Sequence, residues 1–222
     1  MKVTIAIPAY TGIVHLGTMQ CLLRDLIRLI QRGDTFDLVA DVGNACIADC
    51  RGVIATNFLH SDSDVLVFVD SDVAWQEGGL LTLIDHPVDC VAGIYPMRVD
   101  PLKWSVHYLD RPELWADPQT GLLEVAAVPA GFWKLSKQCV QKMAESYPQT
   151  YAHAQAHNQR FYPWFESVID EAKGWKLGED ISFCWRWREI GGNVWCDPEI
   201  EMGHIGNKIF QASYGDWLRN RS

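Results

Sequence analysis

Two aspartates stand two residues apart at the end of an apolar run, Val65-Leu66-Val67-Phe68-Val69-Asp70-Ser71-Asp72-Val73. In extended backbone, side chains at i and i+2 share a face, so Asp70 and Asp72 are expected to converge on one small volume. Ionised carboxylates that close repel. A divalent cation that favours hard oxygen ligands, Mg2+ or Mn2+, removes the repulsion. An Asp-rich turn at a strand end is the plain structural alternative. Further on, Asp180 of Gly178-Glu179-Asp180 opens a helical stretch. A carboxylate there can take a proton from a hydroxyl, or it can simply cap the helix. His204 lies between Gly203 and Gly206, where the backbone can approach a ligand closely. A neutral imidazole there can bind a metal.

The elements that must position these groups follow from periodicity. The Val65–Val69 run reads as a strand buried on both faces, and open α/β sheets place ligands at the carboxyl ends of such strands. Val3–Ile7, ended by Pro8, is an earlier strand. From His15 to Gln31, Leu16, Met19, Leu22, Leu23, Leu26, Ile27 and Ile30 recur at helical spacing, and Gly33 closes the helix. Phe36–Val42 is a second strand, and a helix capped by Asn44 runs to His60. Glu77–Asp85 forms a short helix and Val88–Tyr95 a fourth strand. This alternation predicts a Rossmann-like arrangement over residues 1–97.

After Pro96 the pattern changes. Trp104–Leu109 and Leu122–Val128 read as short strands of an antiparallel extension. Gly131–Leu135 leads into a helix over Ser136–Ser146, and a loop-rich aromatic stretch runs to Lys176. The helix opened by Asp180 stops at Gly191-Gly192. Strand-like Val194–Cys196 and Met202–Gly206 follow. Trp185-Arg186-Trp187-Arg188 reads as helix packing and solvated charge.

A chain of 222 residues, 48% hydrophobic, suits one α/β domain. It holds no run of the ~18–20 apolar residues that span a membrane, and Met1-Lys2 leads straight into a strand without a signal-peptide pattern. A soluble, cytoplasmic protein is expected. Seven cysteines form no Cys-x-x-Cys pair, and Cys46 and Cys50 are expected to pack on a helix rather than bind zinc. His153 and His157 are spaced i,i+4 without a nearby Glu pattern, so no second metal site is expected. The net charge is −9, with 5 Lys/Arg against 12 Asp/Glu in residues 1–97 and 14 against 16 in residues 98–222. That balance argues against non-specific nucleic-acid binding. The second part also carries nine of the ten tryptophans.

The order Ile5-Ala6-Ile7-Pro8, Asn44 to Arg51, Phe68-Val69-Asp70-Ser71-Asp72, Ala130-Gly131-Phe132, Gly178-Glu179-Asp180 and Gly203-His204-Ile205-Gly206 resembles the GT-A glycosyltransferases. Small soluble members of family 2 are the nearest in pattern. The resemblance covers about residues 3–210. It implies a single GT-A domain, in which a Rossmann-like nucleotide-sugar-binding half (1–97) with a mixed sheet joins an acceptor-binding half (98–222). It implies that Asp70 and Asp72 form the DxD that holds Mn2+ or Mg2+ on the donor diphosphate, and that His204 completes the metal site. Asp180 then matches the catalytic base of an inverting transfer, and Gly131 the loop where donor and acceptor meet. Pro8, Tyr10 and Arg51 fall where the fold contacts base and ribose, and Ser71 belongs with the donor-binding residues.

The donor so implied is a UDP-sugar. The acceptor is a hydroxyl of a glycan or small molecule, or a hydroxymethylated base in DNA, as in related bacteriophage enzymes. The lack of a membrane helix weighs against a polyprenyl-lipid acceptor. Trp104, Trp115, Trp133 and Trp164 are candidates to stack on sugar rings, with Trp133 and Trp164 expected to select the acceptor. Such stacking also suits a non-catalytic carbohydrate-binding protein, against which the two aspartates and the candidate base argue. A haloacid-dehalogenase phosphatase would carry its Asp-x-Asp on the first strand, whereas two strand–helix units come first here. A sugar nucleotidyltransferase would open with a glycine-rich phosphate loop that Pro8-Ala9-Tyr10-Thr11-Gly12 does not supply.

Overall fold

A computed structural model describes residues 1–111, 113–152, 159–206 and 208–220. Its elements run β1 (Lys2–Pro8), α1 (Leu16–Arg32), β2 (Thr35–Asp41), α2 (Ile47–His60), β3 (Val65–Val69), β4 (Val73–Trp75), α3 (Gly79–Asp85) and β5 (Cys90–Gly93). Then come β6 (Leu123–Val125), β7 (Phe132–Ser136) and α4 (Lys137–Ser146). Four two-residue strands follow: β8 (Tyr151–Ala152), β9 (Arg160–Phe161), β10 (Ile169–Asp170) and β11 (Trp175–Lys176). The chain ends with α5 (Glu179–Glu189), β12 (Val194–Asp197), β13 (Met202–Ile205), β14 (Ile209–Ala212) and α6 (Tyr214–Asn220).

Seven strands form one mixed sheet in the order β2-β1-β3-β7-β5-β12-β6. β1 pairs parallel with β2 and β3, as the alternating pattern requires. β7 then inserts antiparallel between β3 and β5. The fourth parallel strand therefore does not neighbour the third, and the sheet is mixed, as the resemblance implied. The strand was hidden because Phe132-Trp133-Lys134-Leu135 lacks a clean alternation. Lys134 is buried and its Nζ donates to the carbonyls of His86 and Val88, each at 2.7 Å. Burial lowers its pKa.

Trp104–Leu109 is not a strand but a loop touching down through isolated bridges, Pro96 with Trp104 and His107 with Ala127. Leu122–Val128 shortens to β6, which closes the main sheet against β12. A smaller sheet lays β13 antiparallel on β4 and carries β14 on its other side.

β3 is apolar throughout because both its faces are covered. Val65, Val67 and Val69 pack with Leu22, Leu26 and Leu29 of α1 and Leu80 and Leu83 of α3. Leu66 and Phe68 pack on the other side with Ile54 and Phe58 of α2, Val140 of α4 and Phe183 of α5. Trp133 and Trp164 are 0% and 1% exposed in this second core. Trp133 meets Phe165 and Phe183 edge-on, and Trp164 stacks on Tyr162. Neither ring is open to a sugar, so the expectation that they select the acceptor is corrected. Trp104 packs on Tyr214 and Trp217.

The apolar face expected of α1 is only partly used. Leu22 and Leu26 face the core with Cys21 and Leu29, while Leu16, Leu23, Ile27 and Ile30 are each more than half exposed. α2 starts later than expected, with Cys46 as N-cap and Asn44 Oδ1 accepting the Cys46 N–H at 3.1 Å. Cys50 is buried, as expected, but Cys46 is exposed; all seven cysteines are free. α5 starts at Glu179 with Gly178 as its N-cap, so Asp180 is not a cap. No helix among the described residues is long and apolar enough to cross a membrane. His153 and His157 lie outside the described residues.

Candidate active site

The carboxyl ends of β1, β2 and β3 place Pro8, Asp41 and Asp70 on one edge of the sheet. There a cavity of about 380 Å³ opens, lined also by Tyr10, Asn44, Arg51, Ser71, Asp72 and Glu179. The amino end of α2 borders it at Ile47, and N–H groups without intrahelical partners favour an anion at such an end. Pro8, Tyr10, Arg51, Asp70, Ser71 and Asp72 thus share one wall system, as the sequence implied.

The two aspartates reach it by a route the sequence did not predict. The chain turns at Ser71-Asp72, so Asp70 and Asp72 are not neighbours on extended backbone. The Ser71 carbonyl fixes this turn by accepting from His15 N at 2.8 Å and Thr18 Oγ1 at 3.2 Å. Asp70 Oδ1 accepts from Arg51 Nη2 at 2.8 Å. Asp72 pairs with Arg98 and stands 3.7 Å from His204 Nε2. Each carboxylate therefore has its own cation.

Arg51 is 2% exposed. Its Nη1 donates to the Ala130 carbonyl at 3.1 Å, and the guanidinium lies 5.1 Å from the centre of the Phe68 ring. Its Nε is buried without a hydrogen-bond partner and faces Glu179 Oε1 at 3.6 Å. Arg51 thus ties Asp70 to the Ala130-Gly131 loop and to the start of α5.

Gly131 is where a glycine is required. Its carbonyl accepts from Asp70 N at 2.8 Å, and its N–H donates to Tyr95 Oη at 3.2 Å. A Cβ there would lie 2.5 Å from Tyr95 Oη and 2.7 Å from Asp70 Oδ2. Gly131→Ala is expected to destabilise the fold by about 1–3 kcal/mol, the usual cost of overpacking, as read by urea denaturation. Wild-type stability in that variant would show that the loop gives way freely.

His204 is held by its other nitrogen. Nδ1 lies 3.0 Å from the Pro96 carbonyl, which can only accept, so Nδ1 carries the hydrogen. Burial and the Arg98 charge push the imidazole pKa down, which favours the neutral ring. Its Nε2 lone pair then faces the Asp72 carboxylate, two acceptors looking at one another. A shared divalent cation resolves that opposition, and an imidazole oriented by a backbone carbonyl is the usual form of a metal ligand. The residues fit a cation such as Mn2+ at Asp72 and His204. Asp70 does not join them: among the described residues no three His, Cys, Asp or Glu side chains converge on one point.

Asp180 sits in the first turn of α5, its Oδ1 accepting its neighbour's N–H, Ile181, at 2.8 Å. Burial and the adjacent Glu179 charge raise its pKa to about 6. Beside it, Ile181 begins a second cavity of about 470 Å³ that follows α5 past Trp185 and Arg188 and is walled by Tyr108 and Trp175.

No protein-family model matches the sequence, and no curated protein matches it either. The architecture does match solved structures. GalNAc-T7, crystallised with UDP, GalNAc and Mn2+, superimposes on 93% of this chain with a TM-score of 0.52 at 10% identity. The chain has the GT-A fold. This GT-A chain spans 44% of the length of that GalNAc-T7 chain. Residues 1–349 of S. aureus TarS align over 89% of this chain and 58% of their own at 9% identity, but with a TM-score of 0.47. That second likeness carries no weight. At such identities the GT-A likeness speaks for the fold alone.

Four residues of the site, Asp41 among them, escaped the sequence reading. Glu179 could have been found from its place beside Asp180. Tyr95 and Arg98 bear no local signal, because a loop after the fourth parallel strand delivers them and only the tertiary fold sets its path.

Proposed function

We propose that the chain is a metal-dependent glycosyltransferase that moves a sugar from a nucleotide-sugar, a UDP-sugar first among them, to an acceptor hydroxyl. The observation that carries this reading is the opposed Asp72 carboxylate and neutral His204 imidazole beside a cavity of nucleotide size. Support also comes from the GT-A fold shared with a protein crystallised with UDP and Mn2+. Pro8, Tyr10 and Asn44 hold base and ribose, and the diphosphate lies toward Ser71 and Asp72. Asp72 and His204 would hold a cation, Mn2+ or Mg2+, which when bound would supply positive charge against the diphosphate. Arg51 fixes Asp70 and, through Ala130, the Gly131 loop against which the sugar rests. Asp180, ionised above about pH 6, takes the proton of the acceptor hydroxyl as it attacks, the course of an inverting transfer.

Residues 98–222 supply the acceptor side. Tyr108, Trp175 and Trp185 give the α5 cavity flat faces on which a sugar ring or an extruded base can stack. Lys173 and Arg188, the cations lining it, already pair with Asp170 at 3.9 Å and Glu124 at 3.5 Å. Among the described residues, the cations lining this cavity are paired with carboxylates rather than open to a phosphate backbone, which favours a glycan or small molecule over modified DNA.

The test is a thermal-shift panel of nucleotides and nucleotide-sugars with Mn2+, with Mg2+ and with EDTA. A donor at 100 times its Kd should add ~2.7 kcal/mol of apparent stability. The shift should shrink in EDTA and in Asp72→Ala. No shift with any nucleotide plus Mn2+ overturns the reading. A shift with sugars alone would favour the carbohydrate-binding alternative.

A further inference from the structure

α1 presents an apolar stripe that no described residue covers. Leu16, Leu23, Ile27 and Ile30 recur at intervals of seven, four and three residues, one face of a helix. The charged residues of α1 lie elsewhere. Arg24 donates to the carbonyls of Trp75 and Gln76, and Arg28 pairs with Glu77, on the flank toward α3. Asp25 is buried, and Arg32 pairs with Asp34 and Asp85. The uncharged stripe therefore lies on the side of α1 away from α3, toward the end of the sheet that β2 forms. β2 is the first strand of the sheet and pairs with β1 alone; no described strand meets its outer edge. Phe36 packs in the α1-side core, so by alternation Leu38, itself 47% exposed, lies on the α1 face of the sheet, and Asp37 and Asp41 face the other way.

We infer that this face binds a second copy of the chain across a two-fold axis normal to the sheet. That operation sets β2 antiparallel to its copy, so that the open edge pairs with itself and α1 lies against the second α1 on the same side. An isologous contact of this kind requires a self-complementary patch, and an unpaired strand edge beside an uncharged apolar stripe is one. Six residues, Leu16, Leu23, Ile27, Ile30, Leu38 and Val42, leave roughly 600 Å² open, before the β2 backbone is counted, against ~800 Å² per partner in a standard interface. With each copy carrying −9, association is confined to a face without free acidic groups. This face meets that condition: Asp37 pairs with Lys2 at 3.0 Å.

Light scattering after size exclusion, on the full chain without donor or metal, decides the matter. The wild type should weigh twice its 25.1 kDa at micromolar concentration. Leu23→Glu/Ile27→Glu should weigh 25.1 kDa, with at least a 100-fold weaker dimer Kd by sedimentation and an unchanged circular-dichroism spectrum. Should that variant misfold, Leu38→Arg serves in its place. In a Cys46→Ser background, Ile27→Cys should cross-link to its copy with a short bismaleimide. A wild type of 25.1 kDa up to about 100 µM overturns the inference, whether another protein or nothing at all covers the face. So does a dimer that both charged variants retain.

Discussion

Replacing Asp180 with Asn is expected to cut sugar transfer by ~10²–10⁴-fold, the usual share of a general base, while making the protein harder to unfold at neutral pH. The amide cannot accept the acceptor's proton, yet its oxygen can still accept the Ile181 N–H that Asp180 accepts at 2.8 Å. Stability moves the other way because the carboxyl pKa is raised from 3.8 to about 6 by burial and by Glu179. Between those two values the unfolded chain releases a proton that the native state keeps. The contribution of Asp180 to folding is therefore most favourable below pH 3.8 and is lost as pH rises through about 6. Above that window the buried charge costs on the order of 3 kcal/mol, which Asn removes. Urea denaturation at pH 5 and pH 7.5 should show the variant gaining over wild type mainly at the higher pH. Wild-type transfer should fall on the acid side of about pH 6, and an Asn variant with a tenth of the parent rate would sink the assignment.

Asp70→Ala should cost about 3–5 kcal/mol, the penalty for breaking a buried ion pair from one side. The reason is Arg51, which would keep its charge at 2% exposure with only Glu179, 3.6 Å from its Nε, left as counter-ion. Arg51→Met in the same chain removes the stranded charge and places a flexible apolar chain over Phe68. The double variant should recover most of the loss, a coupling that a double-mutant cycle reads directly. Strictly additive losses would mean that Arg51 and Asp70 do not depend on one another.

The parts of the fold legible in the sequence are those that local chemistry dictates. β1 and β3 announce themselves as apolar runs. α4 opens at Ser136, whose Oγ accepts the Cys139 N–H at 3.0 Å, a cap that the residue type already suggests. β7 was illegible because its partners lie far away in sequence and a buried lysine breaks its apolar run. The tryptophans misled for a related reason: aromatic content does not distinguish Trp133, sealed among Phe165 and Phe183, from Trp175, which is 61% exposed. At the candidate site, Pro8, Tyr10, Arg51, Asp70, Ser71 and Asp72 were named from the sequence and line one cavity. The pairing of each carboxylate did not follow, since one turn at Ser71-Asp72 sends Asp70 to Arg51 and Asp72 to Arg98 and His204.

The insertion of β7 between β3 and β5 has a consequence for how the chain is made. During synthesis, β1, β2 and β3 can zip together as soon as they emerge, each beside a partner already present. β5 cannot follow, because its neighbours are β7 and β12, both still to be translated. Until Ser136 leaves the ribosome, the outer edge of Val65–Val69 and both edges of Cys90–Gly93 stay open, apolar and available for wrong pairing. Closing them demands a long loop, the slow kind of contact in folding. The sheet is in this sense completed from downstream: a nascent chain halted at residue 97 has its first three strands in hand and no middle to its sheet.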